Sequence, residues 1–253
     1  MSTDPAISKE PAPRPRLRIP VHLGVIMDGN GRWAQARGKK RTEGHVAGVR
    51  ALRGLVELCI TYGVPNLTVF SFSSENWARP EDEVSFIFTL LRRFVASDLQ
   101  KLIRNNVRVR VIGSRAGLDK SLVRLIDDAQ AKTEGNTGLN LVVAFNYGGK
   151  AELTEATRTI ARAVASGALS PQDITEETIS SALYTCGLPD PDLIVRTSGE
   201  QRISNFLLWQ AAYAEFIFVE EYWPDFNEEI FVRVLETFAL RDRRFGGIEA
   251  RIT

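Results

Sequence analysis

Short runs of β-branched and aliphatic residues alternate along this chain with longer stretches in which apolar positions recur at helical spacing. The runs at 22–27, 67–72, 107–112, 139–145, 193–196 and 216–219 read as strands. The stretches at 45–62, 81–105, 120–133, 150–166, 176–185 and 228–240 read as helices. The alternation predicts one α/β domain: a mainly parallel six-stranded sheet with helices on both faces. Local signals agree. Pro80 precedes Glu81-Asp82-Glu83, a proline and three acids suited to the positive end of a helix. Ser170-Pro171 and Thr175-Glu176-Glu177 mark another start. No internal repeat or linker divides the chain, so 19–253 reads as a single domain.

The 81–105 stretch has more apolar positions than one face can hold. Val84, Ile87, Phe88, Leu91, Phe94, Val95, Leu99 and Leu102 form one stripe, which Phe86, Leu90 and Ile103 widen. The 45–62 stretch carries a narrower one of Val46, Val49, Leu52, Val56 and Cys59. A wide stripe demands burial on more than one side. Core plus a subunit interface would satisfy it, and so would the wall of a hydrocarbon tunnel; periodicity does not separate the two.

Polar segments, three of them bearing glycine, follow four of the strands. They are Asp28-Gly29-Asn30-Gly31-Arg32, Ser73-Ser74-Glu75-Asn76, Asn146-Tyr147-Gly148-Gly149 and Arg196-Thr197-Ser198-Gly199-Glu200. In an open parallel sheet these carboxyl ends share one edge, where ligands bind, so the pattern predicts one shared site. In the first segment two glycines let backbone approach a ligand, a following helix would present N–H groups to an anion, and Arg32 and Arg41 add positive charge. A carboxylate at Asp28 would repel bound phosphate unless a hard cation such as Mg2+ stood between them. The alternative is an ordinary aspartate–glycine turn. Arg196, Arg202 and Ser204 are spaced to hold a second anion, since guanidinium binds phosphate through paired hydrogen bonds; a surface arginine pair bridged to Glu200 is the other reading. His45, after Gly44, would head a helix and donate to phosphate, whereas His22 reads as a core residue.

Composition narrows this further. With 32 Lys and Arg against 31 Asp and Glu, the net charge of +1 gives no global field for nucleic acid. The two cysteines, Cys59 and Cys186, lie in apolar surroundings without zinc-ligand spacing, which suits buried thiols in a reducing cytoplasm. No apolar run is long enough for a membrane span. Residues 1–18, rich in Pro and Arg, lack the apolar segment of a secretory signal and read as a disordered tail or a basic arm touching a membrane.

The chain resembles undecaprenyl diphosphate synthases, the cis-prenyltransferases, on long segments in family order. They are His22-Leu-Gly-Val-Ile-Met-Asp-Gly-Asn-Gly-Arg-Trp-Ala34, Phe72-Ser-Ser-Glu-Asn-Trp77 with Arg79-Pro80, Asn136-Thr-Gly-Leu139 and Asn146-Tyr-Gly-Gly149. The set continues with Arg196 through Gln210, Tyr213-Ala-Glu215, Trp223-Pro-Asp225 and Arg243-Arg-Phe-Gly-Gly247. The resemblance implies a Mg2+-dependent enzyme that adds isopentenyl diphosphate to an allylic diphosphate such as farnesyl diphosphate. It implies Asp28 as catalytic aspartate and metal ligand, with Glu215 as second metal-linked carboxylate. Gly29, Asn30, Gly31, Arg32, Trp33, Arg41 and His45 would hold the allylic diphosphate. Arg196, Arg202, Ile203 and Ser204 would hold isopentenyl diphosphate. Asn76 is the family's proposed proton acceptor, supported by Ser73, Ser74, Glu75, Trp77 and Arg79, and Arg244 and Gly246 would reach a neighbouring subunit's site. It further implies a hydrophobic tunnel ending near Leu139, a small residue at Ser71 suited to a long product, a homodimer, and delivery to the membrane from the cytoplasm. Many relatives carry histidine at position 201 and glycine at 198, where this chain has Gln201 and Ser198. Shorter or longer products, a non-catalytic partner subunit of the same fold, and an unrelated Mg2+-dependent phosphatase are the competing readings.

Overall fold

The computed structural model of the protein describes residues 17–241; residues 1–16 of the expected 1–18 tail and the Arg244 and Gly246 expectation lie outside that range, whereas Leu17 packs against the core and Arg18 lies over the Phe238 ring. The strands are β1 (His22–Ile26), β2 (Asn66–Ser73), β3 (Arg108–Ile112), β4 (Asn140–Tyr147), β5 (Leu193–Arg196) and β6 (Glu215–Phe218). The helices are α1 (Asn30–Gln35), α2 (Arg41–Tyr62), α3 (Glu81–Arg104), α4 (Lys120–Thr133), α5 (Gly149–Ala165), α6 (Glu176–Ala182) and α7 (Glu228–Ala239). All strand pairs are parallel, in the order β3-β4-β2-β1-β5-β6.

Burial explains the strand sequences. The central strand β1 (HLGVI) is buried at every position because helices cover both faces, so an uninterrupted apolar run is what the fold requires. Edge strand β3 (RVRVI) mixes exposed and buried positions. On one face Leu23, Val25, Leu67, Val69, Leu141 and Val143 pack against α2, α3, α4 and α7. On the other, Ile26, Ile194, Val142 and Ala144 pack against Phe206, Leu207 and Ala211. Each fully buried aliphatic or aromatic side chain contributes about 1.5–3 kcal/mol.

Helix ends follow their caps. Asp119 accepts from Ser121 N and Leu122 N at 3.0 Å to start α4, and Asn227 accepts from Ile230 N at 3.1 Å to start α7. Two expectations shift. Helix α2 begins at Arg41 instead of His45, because the Glu43 carboxylate reaches back to accept from Lys40 N at 3.0 Å and so caps the helix one turn earlier. Helix α6 stops at Ala182, where Leu183 adopts extended backbone. The wide stripe of α3 is confirmed: Ile87, Leu91, Phe94, Leu99 and Leu102 are buried, and Phe88 and Ile103 are partly buried against the same core.

Candidate active site

The carboxyl ends of β1, β2 and β5 open into a cavity of about 620 Å³. Its lining includes Asp28, Gly29, Asn30, Gly31, Arg32, Ser73, Glu75, Asn76 and Arg196 from three of the four polar segments, with Arg41, His45, Arg79 and Ser204 from outside them; the expected fourth segment, Asn146–Gly149, does not line it. Sheet parallelism gathers them. The register Ile26↔Phe70 and Ile26↔Arg196 lines up the strand ends, so residues distant in sequence emerge side by side.

The first segment turns through Gly29, whose φ of +97° suits glycine and leads into α1. A Cβ on Gly31 would stand 2.7 Å from the Arg41 guanidinium carbon, so a side chain there would displace that cation. Helix α1 has only six residues, and side-chain cations rather than a long helix supply the charge here. Arg41 Nε, His45 Nε2 and Arg79 Nη1 all donate to the Glu83 carboxylate, each at 3.1 Å. Glu83 is only 7% exposed. Burial would raise its carboxyl, but Arg41, His45 and Arg79 outweigh that and hold it below the usual range. Burial is also the main effect at His45, and it lowers that imidazole despite the opposing pull of Glu83. His45 is therefore neutral near pH 7, donates through Nε2 to Glu83, and leaves Nδ1 as an acceptor.

The second segment forms a tight turn, Ser74–Ala78, on the end of β2. Asn76 Oδ1 accepts from Ser73 N at 3.1 Å, which leaves its amide NH2, a donor, for the cavity. Glu75 accepts from Asn205 Nδ2 at 2.7 Å, tying this turn to the loop after β5. Just before the turn, the β2–β4 register slips between Phe70 and Phe72, and Ser71 is the extra residue. Such an irregularity re-aims a side chain, and Ser71 lines the cavity.

The third segment is dominated by Arg196, whose side chain is 4% exposed. Its Nη2 donates to Asp28 Oδ2 at 2.8 Å, and its Nη1 donates to Ser204 Oγ at 2.7 Å and to the Arg202 carbonyl. Its buried Nε has no partner among the described residues, the kind of orphan donor an incoming anion would satisfy. Burial would raise the Asp28 carboxyl; hydrogen bonds from Arg196 and Gly29 N, with the Arg196 and Arg32 charges, overcome this and keep it below its ordinary value. Arg32 also donates to Glu200 at 2.8 Å.

The remaining expected residues surround the cavity without lining it. Trp33 donates to Asp225 Oδ1 at 2.7 Å, and Trp77 donates to Asn146 Oδ1 at 2.8 Å. Ser74 packs at Gly148, and Ile203 joins the core on the far face. Arg202 pairs with Glu200 and is 60% exposed. Glu215 departs from expectation. It opens β6 in register with Leu193 and so lies at the amino end of the sheet, where it accepts from Arg241 at 2.9 Å. Asp28 lies past the carboxyl end of β1, so within one chain the two carboxylates do not meet. Sequence reasoning missed Glu83 and Asn205. Glu83 looked like one of three helix-starting acids, and only tertiary structure distinguishes it from Glu81 and Asp82.

No group of three His, Cys, Asp or Glu side chains able to hold a metal occurs among the described residues. Two ionised carboxylates, Asp28 and Glu75, line the cavity, and Asp28 is the one paired with Arg196 and Arg32. That set fits Mg2+, which commonly takes one or two carboxylates, retains waters and fills its sphere with substrate phosphates.

Comparison with known proteins places this site in context. The sequence profile of a family described as putative undecaprenyl diphosphate synthase matches residues 26–246. An isoprenyl transferase from Agrobacterium fabrum is 56% identical over 237 residues, covering 94% of this chain and 96% of its own. The crystal structure of lavandulyl diphosphate synthase from Lavandula x intermedia, in complex with dimethylallyl diphosphate, superposes with a TM-score of 0.87 at 35% identity, covering 90% of this chain and 98% of its own. A probable undecaprenyl diphosphate synthase from Campylobacter jejuni gives 0.74 at 35% identity, covering 91% and 100%. With a family match over residues 26–246, superposition on solved structures and this degree of identity, the chain belongs to the undecaprenyl diphosphate synthase family of isoprenyl transferases.

Proposed function

We propose that the protein is a Mg2+-dependent cis-prenyltransferase that adds isopentenyl diphosphate repeatedly to an allylic diphosphate, farnesyl diphosphate being the favoured primer. The product would be undecaprenyl diphosphate, precursor of the lipid carrier for bacterial cell-wall glycans. The observation that carries this is one cavity lined by Arg32, Arg41 and Arg79 on one side and by buried Arg196 with Ser204 on the other, beside an apolar channel under α3. Two anionic headgroups and one hydrocarbon tail match that arrangement.

In this reading Arg41, Arg79 and the Gly29–Arg32 turn hold the allylic diphosphate with its tail between α3 and the sheet. Charge that develops on the departing diphosphate is stabilised by these preorganised cations, an effect typically worth about 3–4 kcal/mol for one key donor. Asp28 would hold Mg2+, which when bound supplies further charge stabilisation on the diphosphate. Arg196 and Ser204, with Arg202 from the loop above, hold isopentenyl diphosphate so that its double bond meets the allylic carbon. Carbon–carbon bond formation is followed by loss of one proton. Asn76 presents an amide donor and so positions the headgroup, while diphosphate oxygen is the basic group at hand for that proton. A homodimer in the cytoplasm, with product passed to the membrane, completes the proposal; no helix among the described residues is long and apolar enough to cross one.

The test is incubation of purified protein with farnesyl diphosphate, radiolabelled isopentenyl diphosphate and Mg2+, with and without chelator, and sizing of products by reversed-phase chromatography. Chelator-sensitive products of undecaprenyl length are expected. Products of a few additions would keep the reaction and overturn the chain length; no incorporation with any allylic primer would overturn the activity.

A further inference from the structure

The fourth polar segment lines no part of the cavity, yet it is bonded to two segments that do. Asn146 Oδ1 accepts from Trp77 at 2.8 Å, in the turn after β2. Gly149 N donates to the Asn205 carbonyl at 2.7 Å, and Lys150 N donates to Asn205 Oδ1 at 2.9 Å. The first turn of α5 therefore holds both the backbone and the side chain of Asn205. The same amide reaches on to the turn after β2, where Asn205 Nδ2 donates to Glu75 Oε1 at 2.7 Å, next to Asn76. On its other side Asn205 follows Ser204, whose hydroxyl accepts from Arg196. Asn205 itself lines the cavity.

The backbone at this junction is held in an uncommon state. Ser204 and Asn205 have φ of +50° and +63°, left-handed values that residues other than glycine seldom adopt. Such conformations persist where surrounding contacts over-determine them. Gly148 leaves the room for those contacts: a Cβ there would stand 2.4 Å from Ser74 Oγ and 2.7 Å from Asn205 Nδ2. Its own backbone is extended, with φ of −160°, so the need for glycine comes from the junction and not from the dihedral.

We infer that Asn205 is a positioning residue of the condensation: it fixes the loop that carries Ser204 against the turn that carries Asn76, with the start of α5 as the frame. The inference rests on the condensation reading above. Ser204 and Asn76 face one cavity from separate loops, so the alignment of the two substrates depends on how those loops sit. A misplacement of about 1 Å can cost ~10²-fold in rate. An amide has the polarity the junction requires, an acceptor for Lys150 N and a donor for the Glu75 carboxylate.

The experiment measures kcat, both KM values and Tm for wild type, Asn205→Gly, Gly148→Ala, Asn205→Asp and the double variant Asn205→Asp with Glu75→Gln. Asn205→Gly removes the side chain at a φ that glycine accepts, and Gly148→Ala displaces it from outside the cavity. Each should lower kcat about tenfold, less than a full 1 Å misplacement costs because Glu75 is exposed and water replaces part of the contact. KM for farnesyl diphosphate should hold, since Arg41 and Arg79 are anchored on Glu83. Asn205→Asp keeps the acceptor for Lys150 N but sets a carboxylate against Glu75, and should lose at least as much. Adding Glu75→Gln supplies an amide donor to the introduced aspartate and should restore most of the lost rate, which a merely structural role would not do. Wild-type kcat in both Asn205→Gly and Gly148→Ala would overturn the inference. So would a double variant no faster than Asn205→Asp, or a rise in KM for farnesyl diphosphate as large as the fall in kcat. Should one single variant fail to fold, the remaining arms decide the matter. A wild-type protein that condenses nothing would instead overturn the condensation reading and the inference with it.

Discussion

Replacing Glu83 with Gln tests whether one buried carboxylate organises the cations of the allylic site. In the structure Oε1 accepts from His45 and Arg79, and Oε2 from Arg41. Glutamine keeps one acceptor, removes the charge and sets an amide NH2 against a donor. A hydrogen bond to a charged group contributes about 1.5–3 kcal/mol when well buried. The Arg41 and Arg79 side chains are 48% and 35% exposed, so solvent screening reduces each of those pairs to under about 1 kcal/mol. With the buried His45 contact kept near the lower end of its range, the total is about 2–3 kcal/mol, or roughly 5–10 °C in Tm for a chain of this size. The pH dependence has a defined sign. The Glu83 carboxyl is held below its ordinary value, so its contribution is complete above the unfolded value of about 4.3 and is lost as pH falls through the folded one. The Tm gap between wild type and variant should therefore be full at pH 7 and close in acid. KM for the allylic diphosphate should rise about tenfold, equivalent to 1.4 kcal/mol. KM for isopentenyl diphosphate should hold, because the contacts of Arg196 do not include Glu83. Scanning calorimetry at several pH values and steady-state kinetics give both readings. Equal rises in the two KM values, or a Tm gap that persists in acid, would refute the reasoning.

Three further outcomes are expected. Asp28→Ala should fold, since Arg196 keeps Ser204 and the Arg202 carbonyl, yet turn over at least ~10²–10³-fold more slowly in the incorporation assay, the scale of losing one key charge-stabilising group. Near-normal turnover would remove Asp28 from the chemistry. Glu152 is 1% exposed and burial pushes its carboxyl up against the hydrogen bonds it accepts from Tyr147, Gln210 and Tyr184 N. A raised carboxyl favours folding below its unfolded value and loses that contribution as pH climbs through the folded one. Glu152→Gln should therefore match wild type in acid and melt higher at pH 8, with the unpartnered Gln210 Oε1 turning to accept from the new amide. A variant that melts lower at pH 8 would sink that account. Finally, burial pushes the Cys59 thiol up, whereas Cys186, expected from the sequence to be buried, is exposed in the structure; a maleimide should therefore label one thiol in the native protein and two after denaturation, read by mass spectrometry.

The strands and the sharing of one edge were legible because a sheet covered on both faces writes itself as apolar runs, and each carboxyl end here carries polar residues. Sequence could assign Asp28, Arg32, Asn76 and Arg196 to one cavity for that reason. Glu215 entered the site by resemblance alone: it precedes the apolar run 216–219, so strand order by itself put it at the amino end of a parallel sheet, where the structure has it. Sequence could not single out Glu83 among three adjacent acids, since its role comes from Arg41, His45 and Arg79 folding onto it. The start of α2 was misjudged for a local reason: the capping pair Lys40 and Glu43 lies outside the apolar periodicity. The wide stripe on α3 was legible as a demand for extra burial, but only packing against Val143 shows where the apolar space narrows.

The all-parallel sheet also governs how the protein comes into being. Strand β1 is made early, yet it pairs with β5, and the Asp28–Arg196 contact joins residues 168 positions apart. Contacts so distant are slow to form because a long loop must close first. A nascent chain therefore leaves the ribosome with most of its residues made before the anion site can assemble. In refolding, the ability to capture a diphosphate should return with the last cooperative phase rather than with early collapse.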